Sequence, residues 1–227
     1  ANKGLENHMT ESVLGRAIAQ RVLNLPAVVQ SPPDDTIDLS GATLSGSTSE
    51  SIRVAVMEDI AKHRCDHYTR RPGIAPLCHA IADGLAQSGV GVDANNGVIV
   101  AGNPSEARYV AARTLGVDHP VFLLDPATED FSAGLGFAGA DVQVIDPAGP
   151  FPAIENGLLI VTSPNPATGQ LVDGDTLDRL VTWVEETDSL VIADEIAAPL
   201  LSPDLSFQHF AALPGMDERT LTLGSFT

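Results

Sequence analysis

The sequence predicts an α/β fold, a mostly parallel sheet with helices on both faces. Three observations predict it. Short runs rich in apolar residues recur at 121–124, 142–145, 158–161, 190–193 and 221–223. Those at 121–124, 158–161 and 190–193 do not alternate apolar with polar, as strands with one wet face would, so they read as strands buried on both faces. Stretches with helical apolar spacing lie between them, the order expected of a sheet covered by helices.

Taken in order, residues 11–23 carry Val13, Leu14, Ala17, Ile18 and Val22 at helical spacing. Pro26 and Pro32-Pro33 end that helix and begin a linker. Ile37-Asp38-Leu39-Ser40-Gly41 reads as a short strand and turn, so 1–45 form an amino-terminal helix, linker and arm. From residue 46 onward the chain reads as one large domain. A helix is predicted over 49–63, with Thr48 or Ser49 as its cap, and another over 74–86. Val98-Ile99-Val100 reads as a short buried strand, followed by a helix over 105–115. The strand 121–124, a helical stretch over 129–138 and the strands 142–145 and 158–161 come next. Leu177, Leu180, Val181 and Val184 give the helix 175–186 an inward face before the last two strands. No internal repeat or low-complexity tract interrupts the pattern.

The chain has 227 residues, 44% of them hydrophobic, with 12 basic and 30 acidic side chains and a net charge of −18. Such a field repels nucleic acid and anionic membrane. No apolar run reaches the roughly 18 residues of a membrane span, and no secretory signal is visible at the amino end. Two cysteines, Cys65 and Cys78, are too few for a disulfide framework and suit a reduced, cytoplasmic protein. Cys65 stands between His63 and His67. That cluster lacks the second half of a zinc site and reads as solvated or packed side chains, with no metal site.

Ligands of parallel sheets bind beyond the carboxyl ends of the strands. The residues standing there are Asn103-Pro104-Ser105, Asp125-Pro126-Ala127-Thr128, Ser163-Pro164-Asn165, Asp194-Glu195 and Gly224-Ser225. Asp194 ends a very apolar strand, so its carboxylate is partly desolvated and needs a cationic partner. The alternative is an aspartate that caps a following helix or faces solvent.

The strand ending in Asp194-Glu195, followed by the strand that runs into Gly224-Ser225-Phe226-Thr227, resembles the core of the fold-type I pyridoxal-phosphate enzymes. The class I/II aminotransferase (aspartate aminotransferase-like) family is the member group it is most similar to. Ser163-Pro164-Asn165-Pro166-Ala167-Thr168-Gly169 resembles that family's Asn-Pro-x-Asn-Pro-Thr-Gly loop, and Asn103-Pro104-Ser105-Glu106-Ala107 its phosphate-binding helix start. The resemblance runs from about residue 38 to 227.

The resemblance implies the large domain of a pyridoxal-phosphate transferase, incomplete at the carboxyl end, with a smaller domain beyond residue 227. It implies that Asp194 pairs with the protonated ring nitrogen and makes the ring an electron sink. It implies that Asn103, Pro104, Ser105 and Ser225 lie at the phosphate and that Asn165 reaches the ring hydroxyl. It further implies that Tyr68 reaches the phosphate of a neighbouring subunit, and that Gly41 lies by the substrate carboxylate. The catalytic lysine, which holds the cofactor as a Schiff base, is expected directly after Thr227. An interruption at or near that lysine is the favoured account of the chain end, over a natural non-catalytic relative.

Four family contacts are altered. Thr128 stands where an aromatic ring usually stacks on the cofactor, with Phe131 as a candidate substitute. Ala197 stands where a tyrosine usually lies, Pro166 replaces an asparagine, and Pro104 removes a backbone donor. The resemblance implies a homodimeric, cytoplasmic aminotransferase that moves an amino group from an amino acid to a keto acid. A lyase on the same scaffold and a cofactor-weak binding module are the alternatives. A nucleotide-binding α/β domain is a further alternative, for which the chain carries no Walker signature.

Overall fold

A computed structural model describes residues 46–226. The expected amino-terminal helix, the Pro-rich linker, the 37–41 strand and Gly41 therefore lie outside the described residues. The chain divides into two compact units, Ala1–Arg70 and Arg71–Thr227.

In the first unit, α1 spans Glu50–Ala61. Ser49 caps it by accepting from the Ile52 amide at 3.4 Å, which occupies one of the donors that a helix start leaves unpaired. Lys62 pairs with Glu58 at 2.8 Å and Arg64 with Asp59 at 2.6 Å. His63 meets Asp66 at 2.8 Å, and Cys65 is exposed. Among the described residues no group of three His, Cys, Asp or Glu side chains is arranged to hold a metal. Nor is any described helix long and apolar enough to cross a membrane.

The second unit is built on five parallel strands in the order β2-β1-β3-β4-β5. These are β1 Val121–Leu124, β2 Val142–Ile145, β3 Leu158–Thr162, β4 Leu190–Asp194 and β5 Thr220–Leu223. Its helices are α2 Ala75–Gln87, α3 Pro104–Leu115, α4 Ser132–Ala138 and α5 Gly174–Glu186. A 3₁₀ turn, Glu129–Phe131, leads into α4. Successive strand residues face opposite sides. Leu159, Val161, Val191 and Ala193 join Leu180, Trp183 and Val184 of α5 in one core. Leu158, Ile160 and Ile192 join Ala111 and Ala112 of α3 and Leu135 of α4 in the other. The consecutive apolar runs of β1, β3 and β4 are thus explained, since each of these strands feeds two cores, whereas β2 and β5 give Ile145 and Leu223 to one core each.

Close approach fixes residue size at Gly157. A Cβ on Gly157 would lie 2.7 Å from Cε2 of Phe122, whose ring is edge-on to Trp183 at 5.4 Å between centroids.

The expected strand at 98–100 is absent. The Val100 amide donates to the Pro72 carbonyl at 2.9 Å. Pro72 has no N–H to return, so no ladder grows from that bond. Val98 is buried, but Ile99 is 81% exposed. The other expected strands and helices of this unit are present, with ends shifted by a residue or so.

Candidate active site

Because the strands are parallel, the residues following β1, β3, β4 and β5 emerge at one edge of the sheet. The strand order reverses between β1 and β3, which opens a crevice at their carboxyl ends. Asn165, after β3, crosses it. Its Nδ2 donates to the Pro126 carbonyl, after β1, at 2.7 Å. Its Oδ1 accepts from the Ala167 amide at 3.0 Å, and its own amide donates to Gln170 O at 2.8 Å. At 5% exposure, Asn165 is a buried strut between two loops. The peptide bonds before Pro126 and Pro164 are cis.

Asp194 is the last residue of β4, between Thr162 of β3 and Leu223 of β5. It is 1% exposed. Its cation is Arg108, on the second turn of α3, whose Nε donates to Asp194 Oδ2 at 2.7 Å. The other carboxylate oxygen accepts from the Ile196 amide at 3.3 Å. Burial pushes the Asp194 carboxyl above its ordinary range, against the opposing pull of the Arg108 hydrogen bond and charge. Arg108 also faces Asp130, Nη2 to Oδ2 at 3.6 Å. The guanidinium therefore stands between a buried carboxylate and a half-exposed one.

Glu195, the neighbour of Asp194, is structural. Its Oε1 accepts from the Phe210 amide at 2.8 Å and its Oε2 meets His209 Nδ1 at 2.5 Å, which fixes the turn ahead of β5.

The start of α3 bears directly on anion binding. Asn103 is the N-cap, its Oδ1 accepting from the Glu106 amide at 2.9 Å. Glu106 returns through Oε2 to the Gly102 amide at 2.6 Å, close to a capping box. Pro104 offers no N–H. Ser105 is exposed at the second helical position, where an amide has no intrahelical acceptor. An anion arriving here meets the helix dipole and the Ser105 groups, with the Glu106 carboxylate close by.

The remaining candidates are scattered in character. The Thr128 hydroxyl is buried without a hydrogen-bond partner. Ala197 contributes no polar side chain. Ser225 is half-buried just after β5. Tyr68 belongs to the other unit and is fully exposed. Phe131 does not stand in for an aromatic stacking residue. It is 1% exposed and packed in the core between α3, α4 and the sheet.

Arg108 and Asp130 are the site residues that sequence reasoning missed. The signal was present, since Arg108 falls on the same helical stripe as Ala111, Ala112 and Leu115. A cation on an apolar stripe implies a buried anion opposite.

These groups fit pyridoxal phosphate in kind. A buried carboxylate suits a cationic ring nitrogen, and an exposed serine at a helix start suits a phosphate. The one group out of keeping is Arg108, already on the carboxylate.

Comparison with known proteins agrees with the geometry. Residues 34–227 match the family model described as aminotransferase class I and II. The aspartate aminotransferase of Pyrococcus abyssi is 25% identical over 189 residues, covering 75% of this chain and 49% of that protein. The probable N-succinyldiaminopimelate aminotransferase of Mycobacterium tuberculosis is 29% identical over 177 residues, covering 70% and 44%. Among solved structures, the aromatic aminotransferase of Pyrococcus horikoshii aligns with a TM-score of 0.79 at 23% identity, over 91% of this chain and 57% of that one. The chain spans about half the length of the relatives it matches. It belongs to the aminotransferase class I and II family, whose members depend on pyridoxal phosphate.

Proposed function

We propose that this chain carries the cofactor-binding part of an aminotransferase that moves an amino group from an amino acid to a keto acid. The observation that carries the reading is Asp194, a carboxylate 1% exposed at the carboxyl end of an inner strand, beside the start of α3. Pyridoxal phosphate, when bound, supplies an electron sink for negative charge developing at a substrate carbon.

Each residue then has a task. Asp194 holds the proton on the ring nitrogen. Ser105, the start of α3 capped by Asn103, and Ser225 hold the phosphate, with Pro104 limiting the donors there. Asn165 fixes the loop under the ring, and Thr128 and Ala197 border the ring without stacking or donating. The Gly224-Ser225-Phe226-Thr227 run puts the family's lysine next in the chain, where it would move the substrate proton as a general base. Residues 1–45 form an arm, with Gly41 by the substrate carboxylate, and 46–227 form the large domain, with a small domain beyond. Tyr68, fully exposed here, reaches the phosphate of a second copy in a cytoplasmic homodimer.

A cofactor-weak binding module is the second reading. Arg108 already neutralises Asp194, and Pro166 and Ala197 lack the usual donors, which favours it.

The experiment is a single-turnover reaction of the full-length protein, loaded with pyridoxal phosphate, against a panel of amino acids. Formation of the matching keto acid together with the amine form of the cofactor supports the transferase. Loss of a β-substituent with the cofactor unchanged indicates a lyase. No uptake of cofactor favours the binding module.

A further inference from the structure

Asp194 is not waiting for a cation, because it has one. Arg108 donates to Oδ2 at 2.7 Å, and the Ile196 amide engages Oδ1. With Arg108 in place the buried carboxylate is neutralised. A protonated ring nitrogen entering the same dry site would face the guanidinium as a like charge. Two cations on one buried carboxylate leave a net positive charge away from water, which burial disfavours.

The structure also offers Arg108 somewhere else to go. Asp130 Oδ2 lies 3.6 Å from its Nη2, and the Asp130 side chain is 41% exposed. A guanidinium paired there keeps a counter-ion and regains water. Its five donors in a planar fork suit it to two carboxylates in turn. Arg108 also sits one turn along α3 from Ser105, so the helix that receives the phosphate carries the group that guards the ring-nitrogen site.

We propose that Arg108 is a resident counter-ion that competes with the cofactor's ring nitrogen for Asp194, and that Asp130 takes it over when the cofactor binds. The proposal rests on the reading that Asp194 is the ring-nitrogen partner. Arg108 acts through Asp194 and is a positioning residue.

The test measures binding by calorimetry, with no turnover. The probe is pyridoxine 5′-phosphate, which lacks the aldehyde and binds through ring and phosphate contacts alone. The full-length protein is compared with Arg108→Met, Asp130→Asn and Asp194→Asn. Releasing a charge-assisted hydrogen bond from Asp194 is expected to tighten binding about tenfold to a hundredfold in Arg108→Met. Asp130→Asn is expected to weaken binding about threefold, since Arg108 then has no second carboxylate; this modest size follows from the half-exposed position of the pair. Asp130→Asn also serves where Arg108→Met does not fold. Unchanged or weaker binding in Arg108→Met, or unchanged binding in Asp130→Asn, overturns the proposal. If Asp194→Asn still loses binding in that case, the reading of Asp194 stands without it. Absence of binding in every variant overturns both.

Discussion

Asn165 donates its Nδ2–H to the carbonyl of Pro126 at 2.7 Å, tying the loop after β3 to the loop after β1 across the crevice where the strand order reverses. The strut spans the sheet edge at which the candidate ligand contacts gather, and it is buried.

Replacing Asn165 with Asp tests that strut. The substitution sets a carboxylate oxygen against a carbonyl oxygen and removes the donor. A lost bond that leaves a buried acceptor unsatisfied costs about 1–3 kcal/mol. Urea denaturation should therefore show Asn165→Asp destabilised by about that amount, and more than Asn165→Ala, which adds no repulsion. Equal stability of all three proteins would remove the strut from the account.

The ion pair itself should show the asymmetry of buried charges. Removing Arg108 alone, as Arg108→Met, strands a carboxylate that is 1% exposed and should cost about 3–5 kcal/mol. The double variant Arg108→Met/Asp194→Leu should recover most of that loss, because no unpaired charge is left. A double-mutant cycle with no coupling would mean that the two side chains do not share the site.

Asp194 also sets a slope in pH. Burial raises its carboxyl in the folded protein above the ordinary 3.8. The folded state therefore holds this proton at pH values where the unfolded chain has released it. The contribution to stability is fully present below the unfolded value and declines as pH rises through the raised one. Asp173 behaves oppositely. The Thr176 amide and hydroxyl hold its carboxyl below 3.8, so its contribution is lost as pH falls through that lowered value. Urea midpoints of the natural protein and Asp194→Asn, followed from pH 4 upward, should diverge in slope with the natural protein losing more. Parallel curves would contradict the assignment.

Gly157 makes a packing prediction. A methyl group there would press on Phe122 Cε2 from 2.7 Å, and overpacking costs about 1–3 kcal/mol. Gly157→Ala should lower the midpoint of thermal unfolding, and adding Phe122→Leu should recover part of the loss. No recovery would locate the strain elsewhere.

The middle of the sheet was legible because β1, β3 and β4 each serve two cores, which makes them continuous apolar runs. The 98–100 segment has the same composition, yet among the described residues its backbone bonds only the Pro72 carbonyl. Composition reports that a segment can be a strand, whereas a ladder also needs a neighbour with donors to offer. Asp194 was legible because a carboxylate closing an apolar strand demands a cation. The identity of that cation was not, because Arg108 is distant in sequence and only the packing of α3 against the sheet brings them together. Phe131 shows the converse. Its position near Thr128 suggested a stacking role, but the 3₁₀ turn before α4 directs it into the core.

The most direct test of the central claim is the nitrogen-15 chemical shift of the cofactor ring nitrogen, measured with labelled pyridoxal phosphate bound to the full-length protein. The account predicts a protonated-nitrogen shift at neutral pH in the natural protein, moving to the unprotonated value in Asp194→Asn. The same shift in both proteins would contradict it.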